Sequence, residues 1–213
     1  MIIAIDGPSG SGKGTIAQLL GTELGFAVLD TGLLYRLLGY MVLEKKEDPS
    51  IKKNVLEALK HFQYDVSALH ASVLREDSVA KAASIVAAYP EVRNALLSYQ
   101  RAFAKNPPGN ARGAILDGRD IGTVILPDAD LKIFITANIQ IRAQRRWKEL
   151  QHREVMCMFD DVLRDLKDRD DRDMQRECSP LRTSSNAHVI DTSNLTPPMA
   201  VDKILTIIKS LKS

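Results

Sequence analysis

The segment Gly7-Pro8-Ser9-Gly10-Ser11-Gly12-Lys13-Gly14-Thr15 carries a GxxxxGK pattern. It lies between a short apolar run, Met1 to Ile5, and a helix-compatible stretch, Lys13 to Leu24, that stops at Gly25. Glycines allow consecutive backbone N–H groups to turn inward and cradle phosphate oxygens, and the N-terminus of the following helix adds a favourable dipole. Lys13 is placed to reach the β- and γ-phosphates of a nucleotide. The pattern ordinarily has Ser or Thr directly after the lysine. Gly14 stands there instead, which makes Thr15 the candidate hydroxyl for Mg2+, directly or through water. A Gly/Ser turn before an ordinary helix is the plain alternative, but the flanking strand and helix are what a phosphate loop requires.

A phosphate loop does not by itself name a reaction. Asp117 follows the run Ala114-Ile115-Leu116, the place of a metal-linked aspartate at a strand end, and Gly118-Arg119-Asp120 comes next. No Asp-Glu pair is present there to activate water, and no Asn-Lys-x-Asp sequence reads a guanine. Both observations favour transfer to a bound acceptor over hydrolysis. Nine of the 15 arginines fall between Arg142 and Arg182, interleaved with acids. That density suits structural ion pairs or oxyanion recognition, because guanidinium binds carboxylate or phosphate as a fork. Asp165/Arg169, Lys167/Asp171, Asp168/Arg172 and Arg169/Asp173 are i,i+4 pairs of a solvated helix, while Arg169, Arg172 and Arg176 share a face at spacings of three and four.

The elements that must position these groups are short. Ala27 to Leu29, Ala114 to Leu116, Leu131 to Ile135 and His188 to Ile190 read as further core strands beside the first. Leu33 to Leu43, Asn54 to Phe62, Val79 to Ala88, Pro90 to Ala104, Ile139 to Leu150 and a closing helix from Thr196-Pro197-Pro198 to Leu211 read as helices. Tyr64 to Leu74 has room for short strands. Helices alternating with five strands predict a doubly wound α/β domain with a parallel sheet.

Composition narrows the class. The chain has 213 residues, 45% hydrophobic and 26% charged, an ordinary globular mix. A formal charge of +2, from 29 basic and 27 acidic residues, offers no polybasic surface for a nucleic acid, so none is expected as partner. No apolar run reaches bilayer length and no signal-like leader opens the chain, so a cytoplasmic protein without membrane association is expected. Two cysteines, Cys157 and Cys178, suit a reducing compartment. His61, His70, His152 and His188 have no ligand spacing, so no structural metal is expected. Trp147 and Phe159 read as packing or hinge residues, and Met156-Cys157-Met158 as an apolar helix face. No long heptad or exposed apolar helix demands an oligomer, and a monomer is expected.

DTGLLYR (30–36), DGRDIGTVILPDADLKIF (117–134) and DRDDRDMQR (168–176) together resemble the bacterial cytidylate (CMP/dCMP) kinases, along nearly the whole chain and in the same order. The resemblance implies a P-loop nucleoside-monophosphate kinase with ATP and Mg2+ on the donor side and CMP or dCMP as acceptor. It implies a core of residues 1–36, 90–150 and 180–213, an NMP-binding part of about 37–89 and a lid of about 151–179. Thr31 matches a hydroxyl beside the acceptor nucleotide, and Arg36 and Arg119 match arginines that hold its phosphate. Ser84, Arg93 and Asp120 match the groups that read cytosine, with Asp117 and Gly118 in the same acceptor motif. Arg169 and Asp173 match a pair at the acceptor sugar, and Arg176 a phosphate-directed arginine; Lys13, Arg119, Arg169 and Arg176 become the expected catalytic set.

The bacterial family commonly carries a small β-rich insertion near Tyr64 to Leu74, and here that segment is abbreviated. Taken singly, the residues have plainer uses. Arg36 suits an exposed helical arginine, Arg119 with Asp120 a local ion pair, and Ser84 small-residue packing in an Ala-rich helix. Two other readings stay open at this point: a P-loop kinase for another small acceptor such as AMP or shikimate, and a nucleotide-dependent nucleic-acid-binding ATPase.

Overall fold

The computed structural model describes residues 1–63 and 72–211. Five strands, β1 (Ile2–Asp6), β2 (Ala27–Asp30), β3 (Ala114–Gly118), β4 (Leu131–Thr136) and β5 (His188–Asp191), form one sheet in the order β2-β3-β1-β4-β5. Every pairing is parallel, with Ile5 opposite Asp117 and Ile133, and Leu29 opposite Leu116. The central strands are continuous apolar runs because helices cover both faces of the sheet. Ile3, Ile5, Ile115 and Ile133 pack with Ile16 and Leu20 of α1 (Lys13–Leu24) and Ile204 and Ile208 of α8 (Pro197–Ser210).

The helices α2 (Thr31–Glu44), α3 (Lys52–Lys60), α4 (Asp77–Val86) and α5 (Pro90–Lys105) make a second core around Leu34, Leu38, Val55, Val86 and Leu96. A third pair, α6 (Ile139–His152) and α7 (Phe159–Gln175), has its own small core of Ala143, Leu150, Val162 and Leu166. Trp147 and Phe159 meet edge to face there, centroids 6.2 Å apart, as the packing expectation had it.

Several expectations need correction. Gly25 does close α1 in a left-handed conformation. Helix α2 begins at Thr31, two residues earlier than its spacing suggests, because Asp30 ends β2 and at once caps the helix by accepting from Gly32 N–H at 3.0 Å. Ser72–Arg75 is a 3-10 turn, not a strand, and the remainder of the expected strand segment, 64–71, lies outside the described residues, as does the abbreviation noted there. Met156-Cys157-Met158 is not a helix face; it lies between α6 and α7, with Met156 99% exposed. None of the four i,i+4 pairs in α7 closes as an ion pair among the described residues; Asp165 and Asp173 reach Lys81 and Arg119 on other elements instead. No helix of the described residues is long and apolar enough to cross a membrane.

Candidate functional site

The carboxyl ends of β1, β2 and β3 carry Asp6, Asp30 and Asp117, and the phosphate loop leaves β1 directly above them. In a parallel sheet this edge, where connections depart to opposite sides, is where ligands bind. The loop needs its glycines for distinct reasons. A Cβ on Gly7 would stand 2.0 Å from the Ile135 carbonyl oxygen, and Gly12, at φ 88°, turns the chain into α1. A Cβ on Gly14, where Ser or Thr usually follows the lysine, would stand in tight contact 3.3 Å from Asp117 Oδ2. Thr15 is exposed and lines a cavity of about 670 Å³ together with Ser9 to Gly12, Asp30 and Arg36.

Lys13 Nζ donates to the Pro8 carbonyl at 3.4 Å. Burial and Arg119 lower its pKa to about 8, against the pull of Asp117 and Asp30. Asp117, wholly buried, is pushed up to about 7 by burial and by the hydrogen-bonded carboxyl of Asp30, with Lys13 opposing. Two adjoining carboxyls and a nearby hydroxyl at the foot of a phosphate loop form an oxygen donor set suited to a hard divalent cation such as Mg2+. A titration follows from Lys13. At pH 8.5 a lysine of pKa about 8 is mostly neutral, and bound phosphates favour its charged form. ATP binding is then expected to take up roughly three-quarters of a proton. Calorimetry in buffers of different ionisation enthalpy checks this; Lys13→Arg should abolish the uptake, and no uptake by the unaltered protein would contradict it.

On the far side of β3 the charged residues pair in a buried chain. Arg93, at the start of α5, meets the Asp120 carboxylate through Nη2, donates to the Ala87 carbonyl at 3.1 Å and lies 5.5 Å over the Tyr35 ring. Arg176, the residue that ends α7, donates to the other Asp120 oxygen at 3.4 Å. Asp173 accepts from Arg119 Nε at 2.9 Å and lies 4.0 Å from Arg176. Arg93, Asp120 and Asp173 are each at most 7% exposed. Thr31 Oγ1 donates to the Asp117 carbonyl at 2.7 Å, so it stands at the join of this chain and the loop.

The remaining expected residues occupy the cavity side. Arg36 Nη1 donates to the Leu74 carbonyl at 2.5 Å. Ser84, on α4, accepts from Arg172 Nε at 3.3 Å and is not in the Arg93–Asp120 pair. Arg169 lines the cavity, and its buried Nε has no hydrogen-bond partner among the described residues. Burial and the Arg119 charge bring its pKa down to about 10, so it remains a cation at neutral pH. Arg169 and Arg172 face the cavity together, whereas Arg176 departs from their face because the helix ends at Gln175.

Sequence reading missed three participants. Asp30 was legible as a second strand-end aspartate beside Asp117. Tyr35, under the Arg93 guanidinium, carries no signal of that contact in the sequence. Arg142 of α6 joins loop to helix pair: it donates to Ser9 O at 3.0 Å and to Asp170 Oδ2 of α7 at 2.6 Å.

A parallel sheet, a phosphate loop and a facing cluster of buried arginines and aspartates define a P-loop protein of the nucleotide-kinase type. Residues 3–210 match the family model for cytidylate kinase. The chain is 49% identical to a cytidylate kinase of Rhodospirillum rubrum over 208 residues, 98% of this chain and 97% of that one. It is 47% identical to a cytidylate kinase of Paramagnetospirillum magneticum, over 98% of each chain. A crystal structure of an uncharacterized protein from Eubacterium ventriosum shares the fold, with a TM-score of 0.59 at 17% identity and 99% of each chain covered. The chain belongs to the cytidylate kinase family.

Proposed function

We propose that this chain transfers the γ-phosphoryl group of ATP to CMP or dCMP, giving ADP and CDP or dCDP. The observation that carries the reading is the buried Arg93–Asp120–Arg176 cluster, linked through Asp173 and Arg119 to the floor of the phosphate loop. Cytosine presents an N4 amine donor for a carboxylate such as Asp120, beside O2 and N3 acceptors for guanidinium and hydroxyl groups. Asp120 and Arg93 supply the first two kinds of group, and Ser84 the third.

The loop from Gly7 to Thr15 holds the donor phosphates, with Lys13 on the β- and γ-oxygens. Arg36 and Arg119 hold the acceptor phosphate, Thr31 borders it, and Arg169 with Asp173 holds the acceptor sugar. Thr15 and Asp117, with Asp30 behind it, would hold Mg2+, which when bound supplies neutralisation and orientation of the phosphates. The residues' own work is alignment and charge balance, since phosphoryl transfer needs little covalent help from protein. Arg169 has the right state for this: a buried cation without a full set of partners, close to where transferring charge develops.

Arg93, Asp120, Asp173 and Arg176 do not line the cavity. Admission of CMP therefore requires α7 and its flanking loops to move away, and closure over the nucleotide excludes water. Residues 151–179 act as this lid, and 37–89 carry the acceptor-binding part on the core formed by 1–36, 90–150 and 180–213. The reading is tested by ADP release from ATP and Mg2+ with and without CMP. Release that requires CMP supports transfer; equal release without any acceptor would make the protein a hydrolase.

A further inference from the structure

Asp120 occupies the N-cap position of a one-turn π-helix, Ile121–Ile125, yet its side chain makes no capping hydrogen bond. An aspartate there would ordinarily accept from the free N–H groups of its own first turn. Two of those groups, on Ile121 and Gly122, are already taken. Asp6, at the end of β1, accepts from Ile121 N–H through Oδ1 and from Gly122 N–H through Oδ2, each at 2.7 Å. We propose that Asp6 is a positioning residue for acceptor discrimination: by capping the 121–125 turn from the neighbouring strand, it frees the Asp120 carboxylate to meet Arg93 and Arg176. This rests on the reading that Asp120 reads the acceptor base.

The geometry leaves little slack. Asp6 is 5% exposed and both carboxylate oxygens are occupied by the two amides. Burial raises its pKa to about 6, against those two N–H groups, so it is largely a carboxylate at neutral pH and able to accept both bonds. Its strand sits beside β3, with Asp6 opposite Gly118, so the cap reaches the turn just past Arg119 and Asp120. A side chain at Gly122 would be tightly placed, its Cβ 3.1 Å from the Lys132 chain and 3.4 Å from Asp6 Oδ2. Because Gly7 follows directly, one side chain joins the start of the donor loop to the acceptor turn.

Asp6→Asn retains the volume but only one acceptor oxygen. One amide of the turn is then unpaired, and the Asp120 carboxylate, at the N-cap position, is a group able to cap it. The expected result is a rise of about tenfold in KM for CMP and a matching fall in the CMP/UMP ratio of kcat/KM, with KM for ATP within about twofold of the unaltered enzyme. The ratio does not depend on how much protein is active, so it is readable even if the variant is less stable. The double variant Asp6→Asn/Asp120→Asn should discriminate no worse than Asp120→Asn alone. If Asp120→Asn narrows the ratio and Asp6→Asn does not, the positioning role is wrong while the base-reading role stands. If Asp120→Asn leaves the ratio unchanged, both fail. Equal losses toward ATP, CMP and UMP would reduce Asp6 to a structural residue and overturn the proposal.

Discussion

Lys13→Ala is expected to lower phosphoryl transfer by about a thousandfold or more, the scale on which one preorganised charge donor in a dry site contributes. Lys13 is the cation placed between the phosphate loop and the carboxyls of Asp117 and Asp30. Without it, donor phosphates would approach two acids with no lysine between them. The fold should survive, since Lys13 is half-buried at the first turn of α1 and its one hydrogen bond is a long one, to Pro8. Asp117 can relieve the lost charge by holding a proton, which its raised pKa already favours. Circular dichroism should therefore be unchanged while turnover collapses. A variant within tenfold of the unaltered rate would contradict the assigned role.

The second large effect concerns Asp120→Asn. Uracil replaces the cytosine N4 donor with an acceptor, which a carboxylate repels and an asparagine amide can satisfy. The CMP/UMP ratio of kcat/KM should fall by about ten- to a hundredfold, the range a bidentate base contact confers. The variant also removes the charge shared by Arg93 and Arg176, two buried guanidiniums, and should cost about 3 kcal/mol of stability. Thermal melts check that cost and a two-substrate comparison checks the ratio. An unchanged ratio in a destabilised protein would leave Asp120 a structural ion-pair partner only.

What the sequence made legible was local. Lys13 to Leu24 and its Gly25 cap were readable because helix period and a left-handed glycine depend only on neighbours. The phosphate loop was readable for the same reason. The acids of α7 were misjudged because sequence spacing reveals same-helix neighbours, whereas Asp165 and Asp173 find Lys81 and Arg119 from other elements. The turn at Ile121–Ile125 has no helical periodicity, and its cap comes from Asp6, more than a hundred residues away in the chain. Asp30 and Asp117 show the intermediate case: each is visible as the end of a strand, but only the parallel register of β2 on β3 makes them neighbours. The residues proposed to hold the acceptor became visible through a family pattern, not through periodicity, because their grouping is a property of the tertiary structure.

The most direct measurement is kcat/KM with MgATP for CMP, dCMP, UMP and AMP as acceptors, followed by ADP release. The expected result is turnover of CMP or dCMP exceeding that of UMP and AMP by at least about tenfold, from the base contacts of Asp120 and Arg93. UMP or AMP turnover equal to or above that of CMP would contradict it.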